Sequence, residues 1–367
     1  MTQSVIFDHG PDGQPAIFAQ AAHVIRADTP DEVPGAFEAM RKARRDGKWL
    51  AGFASYELGY CLADLLAPLM PPDRDVPLLA FGVYDAPVAY HPQSATAEVV
   101  TGDPAIDFPT YAAAFARLHD YIGAGDCYQV NLTFPIPVAS QTPAPELYAA
   151  LSAGKVPHGA YVDLAGIRLL SRSPELFFRV AGDRIETRPM KGTRPRGATP
   201  AEDAALVADL LGAEKDRAEN LMIVDLLRND ISRLCRIGTV KVPKLFAVET
   251  YPTVHQMISV IEGQLESETG LPEILTAMFP CGSVTGAPKI RAMEIIRELE
   301  PSPRGVYCGA IGWAAPHGDM EFNVAIRTLT ETGAGTFRAN VGGGVVHDSR
   351  AADEYEEALW KARFLKI

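Results

Sequence analysis

Glu175 and Lys191 are the two residues whose placement most invites chemistry. They lie within a stretch, 171–197, that reads as a hairpin: an apolar run over 176–180, a turn at Gly182 and Asp183, and a return over 184–188. Pro189 is expected to stop regular pairing. Lys191 then follows directly on a rigid strand, between Met190 and the permissive Gly192. Glu175 opens the first strand. If the two strands pair, their outer ends meet, and an amine and a carboxyl face one place. That combination suits covalent or acid–base catalysis. A Lys/Glu pair beside a turn is also commonly a plain surface salt bridge, so the remaining residues have to separate the two readings.

Other candidates are scattered along the chain. A helix over 214–228 is apolar around most of its circumference, which marks it as buried. Glu219 near its start, with Asp225 and Asp230 further on, then needs a partner, a cation or a capping role. The loop Phe279 to Lys289, FPCGSVTGAPK, runs into a helix whose free N–H groups suit a carboxylate or phosphate. An ordinary capped helix reads the same way, and the GK[ST] ending of a nucleotide loop is missing. Arg327 lies inside an otherwise apolar strand, 322–329, where a guanidinium calls for an anion. Gly342, Gly343 and Gly344 permit close backbone approach. A final helix over 350–366 places Glu354, Glu357 and Lys361 on one stripe, by itself a solvated face with helical salt bridges. His255 shares one face of an alternating strand over 253–265, where a lone histidine is usually a satisfied structural residue. Gln129, Asn131 and Thr133 line one face of a strand over 128–134, either half exposed or a polar pocket wall.

The elements that must hold these residues belong to an ordinary globular chain. It has 367 residues, 47% hydrophobic and 22% charged, enough for one large domain or two smaller ones. Net charge is −12 and the pI is about 5.2; no basic stripe marks a nucleic-acid surface. An acidic protein attracts an anionic substrate only through local cations or a metal. Five cysteines without a CxxC pair read as reduced thiols and not a disulfide frame or zinc site. With no secretory leader and no apolar stretch of membrane-spanning length, a soluble cytoplasmic protein without membrane contact is expected. Residues 1–104, with a helix over 31–48, strands over 49–56 and 78–84 and a proline-rich linker, read as a lobe docked on a main domain of 105–367. Helices are expected over 109–123, 145–153 and 200–211. Strands are expected over 160–164, 168–171, 239–242, 246–250, 306–313, 321–329 and 336–340.

In their order and spacing, PELFF, RPMKGTRPRG, DRAENLMIVDLLRNDISRLC, VHQM, FPCGSVTGAPKIRAMEIIRELEP, YCGAIGW, IRTL and GGGVVHDS resemble the chorismate-utilising enzymes. The resemblance covers about residues 107–365, and GFASYELGY matches loosely before it. It implies an α+β fold: a single large domain of two antiparallel sheets packed face to face and flanked by helices. In the anthranilate, isochorismate and salicylate branches alanine precedes the Gly-Thr of the hairpin exit. The aminodeoxychorismate synthases have lysine there, as Pro189-Met190-Lys191-Gly192-Thr193 does here.

The resemblance to that branch implies the amination of chorismate by ammonia to 4-amino-4-deoxychorismate, a transferase-type step of 4-aminobenzoate and folate synthesis. Lys191 would attack C2 and expel the C4 hydroxyl; ammonia would then add at C4 and expel the lysine. Glu175 would protonate the departing hydroxyl and later take a proton from the incoming amine. It further implies Mg²⁺ held by Glu219 and Glu357 with Glu354 alongside, which turns the stripe of the last helix toward the substrate. Arg327, Lys361 and the N–H groups of Gly343 and Gly344 would hold a carboxylate. His255, Ser283 and Tyr307 would shape the ring pocket, with Thr193 also in contact with substrate. A separate glutamine amidotransferase subunit (component II) would supply ammonia and a separate aminodeoxychorismate lyase would act next, since neither a glutaminase nor a lyase is recognisable here. No tryptophan site is expected in the short front part. The alternatives are an anthranilate synthase component I, which Lys191 opposes, and a non-catalytic chorismate-binding regulator, which should show a broken acid, metal or lysine position.

Overall fold

Long runs of alternating apolar residues make strands whose buried face needs a cover, and here two ten-stranded antiparallel sheets cover each other. The computed structural model describes residues 3–366 apart from Ala153, Lys155, Pro252 and Thr253. The first sheet runs from Gly286–Ala287 through Gln129–Ala139, Thr336–Val345, Thr328–Gly333, Ile167–Ser173 and His158–Leu164 to Ser4–Phe7, Ala16–Ala19 and Val88–Ala89. The second runs from Met190–Pro195 through Val254–Gln264, Arg184–Thr187, Leu176–Ala181, Met320–Val324 and Ala310–Ala314 to Trp49–Ala54, Leu79–Tyr84 and His23–Ala27. Inner faces of both contribute to one core: Val130, Leu132 and Phe134 of the first sheet pack with Phe177, Phe178 and Phe322 of the second. The fold is the expected α+β arrangement of two antiparallel sheets flanked by helices.

Several elements depart from the sequence reading. The first hundred residues are not a lobe set on the outside: Ser4–Phe7 pairs with His158–Leu164, and Trp49–Ala54 pairs with Ala310–Ala314. Each sheet is therefore completed by N-terminal strands, whose apolar sides fill a core that otherwise ends in open edges. The expected strand over 321–329 is two. Met320–Val324 belongs to the second sheet and Thr328–Gly333 to the first, so the chain crosses between them at residues 325–327, with Arg327 in a left-handed conformation (φ 51°). Arg327 thus sits in a link and not inside a strand. The helix Glu214–Ser232 is buried along one side only, through Ile223, Val224, Leu227 and Ile231, while Leu221 and Asp225 face solvent. The glycine run does not end a strand but lies in one, Thr336–Val345.

Candidate active site

The hairpin forms as its turn chemistry demands, with Val180 opposite Ile185 and Ala181 opposite Arg184. Pro189 interrupts pairing, but only briefly. Arg184–Thr187 and then Met190–Pro195 pair with the same strand, Val254–Gln264, and the register shifts between Met190 and Thr193. Lys191 and Gly192 (φ 78°) form that bulge. A bulge re-aims a side chain out of the pleat, and the permissive glycine makes this one possible.

Lys191 is half-buried. Loss of solvent lowers its pKa, Glu219, Glu175 and Glu357 oppose that, and the like charge of Lys361 adds to the lowering; the net direction is down. The amine therefore loses its proton more readily than an ordinary lysine. Glu175 lies at the mouth of Leu176–Ala181 and is 5% exposed. Its carbonyl accepts from the Val324 N–H at 3.0 Å, fixing it to the neighbouring strand. Ser283 Oγ donates to its Oε1 at 2.7 Å. Burial pushes its pKa up to about 7, against the pull of the Ser283 bond and the charges of Lys191 and Arg327. A carboxyl poised there can give and take a proton near neutrality.

Arg327 is half-buried, and among the described residues its guanidinium has no hydrogen-bond or ion-pair partner; Glu175 is the anion whose charge it feels. An unpaired cation beside a buried acid is a place for an anionic ligand.

The C-terminal helix, Ala351–Lys361, brings its stripe over the glycine strand. A Cβ on Gly343 would lie 3.2 Å from Glu354 Oε2, 3.3 Å from Lys361 Nζ and 4.0 Å from Glu357 Oε1. Ser349 Oγ donates to Glu354 Oε1 at 2.6 Å. Lys361 Nζ pairs with Glu357 Oε1 at 2.8 Å and donates to the Gly342 carbonyl at 2.9 Å. Burial raises the pKa of Glu219 and of Glu354; the charge of Glu354 adds to the first and that of Glu357 to the second. Despite its desolvation Glu357 is drawn below the ordinary value, by Lys361 above all. The three carboxylates thus feel one another across the site. Among the described residues no three His, Cys, Asp or Glu side chains converge as a ready-made metal cage.

The remaining expected residues fall differently. The Asn131 and Thr133 N–H groups point away from the glycine strand, to Thr285 O and Glu300 Oε1. Antiparallel alternation then makes Leu132 and Gly343 the hydrogen-bonded pair. The Gly343 N–H is spent in the ladder, whereas that of Gly344 lies on the side where pairing with Thr328–Gly333 has already ended at Ala339. His255 is buried with both ring nitrogens engaged, Nδ1 with Thr250 Oγ1 at 2.9 Å and Nε2 with Asp203 Oδ1 at 2.8 Å, so it braces the helix Pro200–Gly212 and is not among the groups around Glu175. Thr193 is exposed and bonded to Gln256. Tyr307 is buried in the turn before Ala310–Ala314.

One supporting cluster escaped the sequence reading. Arg304, fully enclosed, pairs with Glu300 through Nε and Nη2 and donates to the Val284 and Asn131 carbonyls. Glu300 Oε1 in turn accepts from the N–H and Oγ1 of Thr133. This ties the Ser283 loop to the strand Gln129–Ala139. The segment RELEPSPRG looks like a solvated helix end, and only the four-residue spacing of Glu300 and Arg304 hints at the pair.

An amine of lowered basicity and a guanidinium without a partner among the described residues thus act electrostatically on one buried carboxyl, a set of groups suited to proton transfer. The chain belongs to the chorismate binding enzyme family, whose profile matches residues 2–366. It is 45% identical to aminodeoxychorismate synthase component 1 of Escherichia coli (strain K12) over 258 residues, 70% of this chain and 57% of that protein. It is 46% identical to aminodeoxychorismate synthase of Streptomyces pristinaespiralis over 257 residues, 70% of this chain and 36% of that one. The chain thus spans between about a third and three fifths of these relatives' length. The crystal structure of anthranilate synthase component I from Streptococcus pneumoniae TIGR4 superposes with a TM-score of 0.82, covering 100% of this chain and 92% of that one at 24% identity, which establishes the fold.

Proposed function

We propose that this chain is the synthase component that converts chorismate and ammonia to 4-amino-4-deoxychorismate. The observation that carries the reading is the lysine on the bulge, its basicity lowered, within electrostatic reach of the buried acid Glu175. In the first half-reaction the neutral Lys191 amine bonds to ring C2, both conjugated ring double bonds shift toward C4, and the C4–O bond breaks so that the hydroxyl leaves as water with the proton of Glu175. In the second, ammonia bonds to C4, both double bonds shift back, and the C2–N bond to Lys191 breaks. Glu175 removes the surplus proton from the new amine and is reset. Arg327 binds one substrate carboxylate, with the Gly344 N–H, unused by the ladder, as a second donor. Lys361, held by Glu357 and Gly342, tunes Lys191 by its charge.

The oxygen-only set Glu219, Glu354 and Glu357, whose like charges oppose one another although Lys361 pairs with Glu357 and Lys215 lies 3.9 Å from Glu219, would suit a hard cation such as Mg²⁺ that retains waters. Bound there, the ion supplies positive charge for a second carboxylate. Ammonia is mostly ammonium at neutral pH, so a partner glutamine amidotransferase is its source, and a separate lyase consumes the product; the setting is the cytoplasm. The test is chromatography with mass detection of the products from chorismate, ammonium and Mg²⁺. Formation of 4-amino-4-deoxychorismate, lost in Lys191→Ala, supports the reading. Anthranilate with pyruvate, or an unchanged product yield in the lysine variant, refutes it.

A further inference from the structure

The two oxygens of Glu175 are not equivalent. Oε1 accepts the Ser283 hydroxyl at 2.7 Å, and no hydrogen bond from the protein reaches Oε2 among the described residues. Ser283 Oγ has a second neighbour, Cys281 Sγ, at 3.2 Å. A serine hydroxyl has one hydrogen to give. If it goes to Glu175, the contact with sulfur is satisfied only by the thiol hydrogen pointing into Ser283 Oγ. If it goes to sulfur, Oε1 must find a proton of its own. The thiol keeps its hydrogen, because burial pushes Cys281 up to about 12. Cys281 and Ser283 are 2% and 5% exposed, so bulk water hardly competes for either. The turn that carries them is pinned by Thr285 Oγ1, which donates to the Cys281 carbonyl at 2.8 Å.

We propose that Cys281 is a positioning residue: its S–H donates to Ser283 Oγ, turns that hydroxyl toward Glu175 Oε1, and so leaves Oε2 as the oxygen that carries and delivers the acid's proton. A protonated Oε1 would face Ser283, while a protonated Oε2 is free to meet the departing hydroxyl. Chains of this kind polarise along their length, each donor strengthening the next. The charged and titratable groups that face Glu175 are Lys191 from the bulge, Arg327 from the inter-sheet link and the buried Cys308; Cys281 also feels Lys289. None of these supplies a second hydrogen bond to Oε1 among the described residues. The catalytic meaning of the relay rests on the function proposed above, but its direction does not.

The test is an infrared titration of the Glu175 carboxyl, identified as the band lost in Glu175→Gln, in wild type, Cys281→Ala and Cys281→Ser. Loss of the thiol weakens Ser283 as a donor, so Cys281→Ala raises the midpoint by about half a pH unit, and the stronger hydroxyl donor of Cys281→Ser returns it to the wild-type value or below. In turnover, Cys281→Ala lowers kcat roughly tenfold, a part of what a well-placed acid supplies. KM stays within about twofold, and Cys281→Ser recovers most of the loss. A wild-type midpoint in Cys281→Ala overturns the proposal. So does a serine variant as impaired as the alanine one, which would point to packing. Should Cys281→Ala fail to fold, a midpoint raised above wild type in Cys281→Ser is enough to refute the relay. If the wild-type protein makes no 4-amino-4-deoxychorismate, the proposed function falls, and the titration still decides the hydrogen-bond direction.

Discussion

Glu175→Gln is expected to yield a protein that is catalytically dead and more stable than its parent at alkaline pH. Glu175 has a folded-state pKa of about 7 against an ordinary 4.5. The native state therefore holds a proton that the unfolded chain has released between those values, and stability falls as pH rises through that window. Below about pH 4.5 the group costs nothing; above about 7 it imposes its full cost. At 1.36 kcal/mol per unit the shift amounts to about 3 kcal/mol. With an unfolding entropy of about 2.1 cal/mol/K per residue over the whole chain, that is a rise of about 4 °C in Tm for the glutamine variant. Ser283 can still donate to the amide oxygen, so the local bond survives the change. Calorimetry at pH 5 and pH 8.5 is the assay: the two proteins should melt together at the lower pH and separate at the higher. A glutamine variant that melts below wild type at pH 8.5 would show that Glu175 is held ionised by Lys191 and Arg327, and its role as proton donor would fail.

Three further outcomes follow from the geometry. Glu300→Ala leaves the enclosed Arg304 without its anion and the Thr133 N–H without an acceptor, which should cost about 3–5 kcal/mol in urea unfolding; a loss below about 1 kcal/mol would show that solvent reaches the pair. Gly343→Ala puts a methyl within reach of the movable tips of Glu354 and Lys361, so stability should change by less than about 1 kcal/mol while KM for chorismate rises roughly tenfold; an unchanged KM would place substrate elsewhere. Protein stripped with EDTA should be inactive and recover with Mg²⁺, and calorimetric titration with Mg²⁺ alone should lose its binding heat in Glu357→Gln. Full activity after stripping would remove the metal from the proposed function.

Local rules carried the sequence reading where a short-range cause decides the structure. The hairpin follows from Gly182 and Asp183 between two apolar-containing runs, and the helix at Pro200–Gly212 starts where expected, capped by the Thr199 side chain. The crossing at 325–327 was illegible because apolar residues on either side of it suit either sheet equally, and no glycine or proline marks the break. The bulge at Lys191 was half legible: Gly192 permits it, but its register is imposed by Val254–Gln264, more than sixty positions away along the chain. The direction of the acidic stripe depends on a neighbour, since a charged helical face reads as solvated until Gly343 is known to lie beneath it. For the same reason His255 could not be assigned from its strand alone, because Asp203 claims it from another element.

The embedding of the earliest strands in both sheets also has a temporal side. A nascent chain leaving the ribosome presents Trp49–Ala54 long before Ala310–Ala314 exists to receive it. The second sheet cannot be finished before residue 324 has been made, nor the first before residue 345, so contact order is high and maturation slow. Unpaired apolar strand edges stay exposed throughout that wait, which makes the growing chain a client for chaperones and a poor candidate for dissection into fragments.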